Sequence, residues 1–126
     1  MKALLASLLL CAGAQAKEFH CPSQYPSETH ALVGDTHTFV SPSRLVRAGV
    51  YWGELGGQGE MHGDRKTSKD AVLVRFGLPE KEKKWFVCEY GNSSITMWTA
   101  IEDRATECLL QQSSRGGVVT VRAQCK

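Results

Sequence analysis

Residues 106–125 read TECLLQQSSRGGVVTVRAQC. Two runs of strand-forming character, Thr106 to Gln111 and Val118 to Gln124, flank Gly116-Gly117. The favoured two-residue hairpin turn needs positive φ at both central positions, and glycine supplies it without steric cost. Arg115 and Val118 then face each other, and counting outward sets Cys108 opposite Cys125. The flanking pair is hydrogen-bonded and the pairs alternate, so the cysteine pair is of the non-bonded kind, in which side chains lie closest. The stretch predicts an antiparallel hairpin closed by a disulfide at its open end.

The same strand signature recurs toward the amino terminus. Ser94 to Ile101 and Lys84 to Tyr90 form a second hairpin with Gly91-Asn92 as its turn. In that register Phe86 faces Met97, Cys88 faces Ile95 and Trp85 faces Trp98. Ala71 to Leu78 alternates, with Val72, Val74 and Phe76 on one face and Leu73 and Arg75 on the other. Arg44 to Trp52 is a further strand. Helix signals are thin: Ser23 to Val33 could hold a short turn between prolines, and Asp103 to Leu109 another. Short strands with turn residues every 8–12 positions predict a mostly β chain, a single small antiparallel sheet or barrel-like domain. Of Trp52, Trp85 and Trp98, two are expected in the core and one exposed, since aromatics serve both roles.

Residues 1–16 have the three parts of an export signal: Lys2, an apolar run from Ala3 to Ala14, and the small-x-small site Ala14-Gln15-Ala16. The run is shorter than the ~20 residues a membrane-spanning helix needs. A mature domain over residues 17–126 is therefore expected, periplasmic and without stable membrane insertion. A lipid anchor on Cys11 is disfavoured because Leu10 precedes it where lipidation usually wants a small residue. Cleavage removes Cys11 and leaves Cys21, Cys88, Cys108 and Cys125. An even count in an exported chain reads as two disulfides. Cys108–Cys125 with Cys21–Cys88 is the favoured connectivity, each bridge worth roughly 2–4 kcal/mol. A one-residue bulge in the last hairpin would instead favour Cys21–Cys108 with Cys88–Cys125.

The 126 residues carry 15 Lys and Arg against 13 Asp and Glu, scattered along the chain, so a nucleic-acid footprint is absent. One domain is expected at this length. No C-x-x-C or H-E-x-x-H pair suggests a metal, and no cofactor motif is present. Glu80/Glu82 and Glu102-Asp103 read as solvated turns. Lys81, Lys83 and Lys84 alternate with those acids. Asp35 and His37 could join a serine in a hydrolytic triad, but no G-x-S-x-G elbow accompanies them. Gly53 to Asp70 (GELGGQGEMHGDRKTSKD) stands apart as a long glycine-rich loop, with a weak strand at Gln58 to His62. Long loops in small domains are often functional or disordered, so the stretch reads either as a mobile solvated hairpin or as a loop that enters a partner's groove.

Cys21-Pro22, then Gly49-Val50-Tyr51 with Gly53, then Trp85, Cys88 and Tyr90, then Cys108 and a terminal Cys125-Lys126 form an ordered set. In this the chain resembles a family of short exported proteobacterial proteins with no settled activity, some found in type VI secretion loci beside cell-wall effectors. The resemblance implies an immunity protein. Gly53 to Asp70 replaces the family's acidic-proline stretch. Cys88-Glu89-Tyr90 and Trp98 are also similar to periplasmic lysozyme inhibitors, which push a loop into the enzyme's cleft.

Together these point to a non-catalytic periplasmic binding protein, an immunity or inhibitor protein that occludes a peptidoglycan-acting enzyme. The loop Gly56–Asp70 is the expected contact, with Trp52 beside it and Glu60, His62 and Arg65 as polar contacts. An envelope structural or stress protein is the alternative class, and a small hydrolase the remote one.

Overall fold

A computed structural model describes residues 16–26, 30–39 and 41–126. The expected export signal lies outside these residues except for Ala16. Eleven strands are formed among the described residues, all paired antiparallel: β1 Lys17–His20, β2 Gln24–Tyr25, β3 His30–Val33, β4 Thr36–Phe39, β5 Ser43–Trp52, β6 Asp64–Thr67, β7 Ala71–Gly77, β8 Lys84–Tyr90, β9 Ile95–Ile101, β10 Glu107–Arg115 and β11 Val118–Cys125. They divide into a five-stranded sheet ordered β1-β11-β10-β7-β6, a four-stranded sheet ordered β2-β5-β8-β9, and the β3-β4 hairpin. Of the Ser23–Val33 stretch, read as a possible helical turn, Gln24–Tyr25 and His30–Val33 form β2 and β3, and residues 27–29 lie outside the described residues. No helix among the described residues is long and apolar enough to cross a membrane.

Alternation along each strand places the core. Val74 and Phe76 of β7, Leu110 of β10, and Val121 and Ala123 of β11 are buried from the first sheet. Ala48 and Val50 of β5 and Phe86 and Tyr90 of β8 are buried from the second. Phe19 reaches across from β1, with its ring 5.4 Å from that of Phe86. The last hairpin has the register counted from its glycines: Arg115 pairs with Val118 and Cys108 with Cys125, Cα atoms 4.1 Å apart and disulfide-linked. Cys21, just beyond β1, is joined to Cys88 of β8, with Cα atoms 5.7 Å apart. That bond ties the amino-terminal segment to the second sheet.

The β8–β9 hairpin corrects one expectation. Its turn is four residues long, closing on Tyr90 and Ile95, so Cys88 pairs with Met97 and Phe86 with Thr99. The Ser93 N–H donates to the Tyr90 carbonyl, and the Gly91 N–H donates to Arg44 of β5. These bonds favour the longer turn over the two-residue one at Gly91-Asn92. A shift of two residues keeps every side chain on its expected face.

The Tyr90 side chain is buried, and its hydroxyl donates to the Pro22 carbonyl at 2.9 Å. Burial, then the neighbouring Tyr25, push its pKa up from 10.0. The folded state thus holds the phenol proton more tightly than the unfolded chain does. This contribution is complete at neutral pH and is lost as pH rises past 10 through the raised value. Urea midpoints are expected to fall in that alkaline window, and to fall less steeply in Tyr90→Phe.

Candidate functional site

The site begins at a bulge. In β5, Leu45 pairs with Tyr90 and Arg47 with Glu89, leaving Val46 as the extra residue. The bulge shifts the alternation, so Leu45, Ala48 and Val50 face the core while Arg47, Gly49 and Tyr51 face outward. On the neighbouring strand Trp85, Val87 and Glu89 share that outer face, opposite Phe86, Cys88 and Tyr90.

Arg47 sits between two carboxylates. Its Nη1 donates to Glu89 Oε2 at 2.5 Å and its Nη2 donates to Glu60 Oε1. Glu89 is only 7% exposed. Burial by itself lowers the Arg47 pKa; the Glu60 hydrogen bond and the charges of Glu89 and Glu60 more than offset this, and the net direction is upward. Burial, then the Glu89 and Glu60 charges, raise the Tyr51 phenol as well. Gly49 leaves the room this cluster uses: a Cβ there would lie 3.4 Å from the Tyr51 ring and 3.5 Å from Glu60 Oε1.

Glu60 is held by backbone. The Trp52 N–H donates to the Gly59 carbonyl at 2.9 Å, the Met61 N–H donates to the Val50 carbonyl at 2.8 Å, and Tyr51 and Glu60 form an antiparallel bridge between them. The glycine-rich stretch, expected as a long loop with a weak strand at Gln58 to His62, is stitched to β5 at Gly59–Met61 within that segment, and Asp64–Thr67 forms β6 against β7, a strand the reading did not include. A Cβ on Gly59 would strike the Trp52 carbonyl oxygen, and one on Gly63 the Arg75 carbonyl oxygen. Close backbone approach explains these two glycines.

Between β5 and the β6-β7-β10 part of the first sheet lies a cleft of about 460 Å³. Val74, Phe76 and Leu110 line it with apolar surface, and Arg47, Glu60, His62, Arg65 and Gln112 supply its polar groups. Three of the four residues singled out from the sequence thus come together here. Trp52 does not join them. It is 49% exposed and lines a neighbouring hollow of about 440 Å³ with Leu78 and Pro79. Met61 borders both spaces. Leu55, at the tip of the loop, is 65% exposed.

Two of the three tryptophans were expected in the core, but none is there: Trp52 is exposed, and Trp85 and Trp98 pack half-buried on the outer face of the second sheet. Their strand positions are in phase with Val87 and out of phase with Phe86. Trp85 Nε1 donates to the Gly53 carbonyl at 2.9 Å, and the Trp98 ring lies 5.0 Å from Tyr51. Asp35 and His37 are exposed on the β3–β4 hairpin. No group of three or more His, Cys, Asp or Glu among the described residues could hold a metal ion. The cleft offers fixed donors and acceptors around an apolar wall, which is chemistry suited to recognition.

Residues 40–126 match the family model of the type VI secretion system Tli immunity protein. The chain belongs to this family. No curated protein and no solved structure gives a significant match. The matched span holds β5 to β11, and so all of the Tli-family cleft, its bulge and the outer face. It excludes Asp35, His37 and Cys21, although Cys88, the disulfide partner of Cys21, lies within it. The resemblance to type VI locus proteins noted in the sequence is the one this membership expresses.

Arg47 was not singled out from the sequence, and Tyr51 and Glu89 entered only as parts of the resembling motifs, with no role in a site. Their signal was a break in period: apolar positions at 45, 48 and 50 change phase, and an acid interrupts the apolar KWFVCEY strand. Arg47→Ala in this Tli-family protein leaves Glu89 nearly buried without its cation. A loss of about 2 kcal/mol is expected by urea unfolding, below the value for a fully buried pair because Arg47 is 38% exposed. Glu60→Gln keeps the Glu89 pair and is expected to cost less than about 1 kcal/mol.

Proposed function

We propose that the mature chain works in the periplasm as an immunity protein, binding a type VI effector enzyme and blocking it sterically. Membership of the Tli immunity family supports a protein partner and favours this class over an envelope structural role. The observation that carries the reading is a polar rim already built: Arg47 locked between Glu60 and Glu89, with the Glu60 segment pinned to β5. A surface ordered beforehand loses little entropy on binding. Trp52 and Leu55 supply exposed apolar anchors beside it, and His62 and Arg65 supply polar contacts. The target class read from the sequence is a cell-wall-degrading enzyme.

The test is co-purification of the periplasmic chain with the effector encoded beside its gene, with affinity measured for Trp52→Ala and for the double variant His62→Ala/Arg65→Ala. At least tenfold weaker binding is expected for each, with urea midpoints near the parent value. Failure of the effector to form a complex sinks the proposal. An effector that binds but attacks envelope lipid rather than peptidoglycan removes the cell-wall reading and leaves immunity standing.

A further inference from the structure

The seven-residue exposed edge of the second sheet is unlike the outer strands of the first sheet and unlike β2. β9 reads Ile95-Thr96-Met97-Trp98-Thr99-Ala100-Ile101, seven residues without a charge or a proline. Among the described residues β9 pairs with β8 alone, and none of its backbone groups bonds outside that ladder. The edge strand β6 carries Asp64, Arg65 and Lys66, β1 carries Lys17 and Glu18, and β2 has two residues. Charge and shortness blunt an edge against pairing, and β9 has neither.

The bonding pattern fixes which groups β9 presents. The Gly53 N–H donates to the Lys83 carbonyl and the Gly91 N–H to the Arg44 carbonyl, each at 2.8 Å. Both pairs flank the β5–β8 ladder and are of the bonded kind. Alternation then makes Lys84, Phe86, Cys88 and Tyr90 bond to β9, opposite Ile101, Thr99, Met97 and Ile95. Thr96, Trp98 and Ala100 are left with their N–H and C=O groups directed away from β8.

We propose that β9 is a self-pairing edge through which two copies of this chain join their second sheets. The strand is nearly symmetric about Trp98, with isoleucine three residues to either side. A two-fold axis there pairs Trp98 with Trp98 of the second copy, and Thr96 with its Ala100. These are the three residues whose backbone groups face outward, and they meet as bonded pairs. With no charge on the strand, two-fold pairing sets no like charges opposite. Trp98 Nε1 donates to Thr96 Oγ1 at 2.9 Å, aligning the indole with the strand. Its ring already contacts Tyr51 and Trp85, so the axis joins two aromatic clusters into one. Lys17, at the far end near Ala100, has its ammonium 5.3 Å from the Phe19 ring centre. This pairing goes beyond effector binding and does not depend on it.

Sedimentation velocity of the chain purified from the periplasm, over a range of concentrations, is expected to show a monomer–dimer equilibrium. Ala100→Pro removes one outward N–H and leaves the β8 ladder intact. Trp98→Lys places like charges at the axis. Each is expected to weaken dimerisation at least tenfold, and Ala100→Pro to keep the parent urea midpoint. Amide exchange of the unmodified chain is an independent readout. Protection of Thr96, Trp98 and Ala100 should grow with concentration. A monomer at every concentration overturns the proposal, as does fast exchange of those amides in a dimer. An unmodified chain that stays monomeric while Ala100→Pro loses effector binding also overturns it, and assigns the edge to a strand of the effector.

Discussion

Lys84→Met is expected to destabilise the domain by about 3 kcal/mol. Lys84 is 1% exposed and opens β8 on the core face. Its ammonium has three protons to donate, and all three are used: to the carbonyls of Pro79 at 2.8 Å, Asp103 at 2.5 Å and Ala105 at 3.0 Å. No carboxylate among the described residues lies within ion-pair distance of it. One cation therefore ties the β7–β8 connection and the β9–β10 connection to the same end of the second sheet. Bonds to a charged donor contribute roughly 1.5–3 kcal/mol each. Methionine recovers the cost of burying the charge and fills most of the space, which offsets part of that sum. The three carbonyls lose their partner, and both connections are expected to become early sites of proteolysis. Urea unfolding of Lys84→Met beside Lys83→Met makes the comparison, since Lys83 is exposed and should stay within about 0.5 kcal/mol of the parent. Equal stability of the two variants would remove the structural role.

Lys84 also marks where sequence reasoning stopped. It stood beside Lys81, Lys83, Glu80 and Glu82 in a run of alternating charge and was given no role beyond opening the Lys84–Tyr90 strand. Its period-two relation to Phe86, Cys88 and Tyr90 puts it on the buried face, a signal present but outvoted by composition. Elsewhere the periodicity was sufficient. Gly116-Gly117 requires positive φ and has it, at 56° and 76°, so counting outward gave the true pairing of Cys108 with Cys125. The Gly91-Asn92 turn failed because its closure depends on the bond from Gly91 to Arg44, a contact with another strand that local sequence does not contain. The site was legible in the same uneven way. Glu60, His62 and Arg65 were found as polar groups in an unusual loop. Arg47 and Glu89 were missed because a bulge and a cross-strand ion pair exist only once strands are placed side by side.

Replacing Cys21 and Cys88 together by alanine is expected to cost about 4 kcal/mol, and replacing Cys108 and Cys125 together about 3. The separations are 67 and 17 residues, and loop-closure entropy in the unfolded chain rises with the logarithm of loop length. The fold adds to the ordering. The hairpin keeps its ladder from Arg115 to Leu109 without the second bond, whereas β1 is held to β11 by only four pairs once the first is gone. The segment from Lys17 to Pro26 is thus expected to be the first cut by a protease in the Cys21/Cys88 variant. Urea midpoints of the two double variants, in the absence of reductant, decide the order. A reversed order would show that strand pairing, and not the long closure, dominates. Small domains hold roughly 5–15 kcal/mol in total, so loss of both bonds would take a large share of it. A chain this dependent on oxidised sulfur should protect against its effector only where disulfides form. Protection by the full sequence, and none from the same sequence started at Lys17 and kept in the cytosol, is the expected result; equal protection by both would show that the fold does not require export.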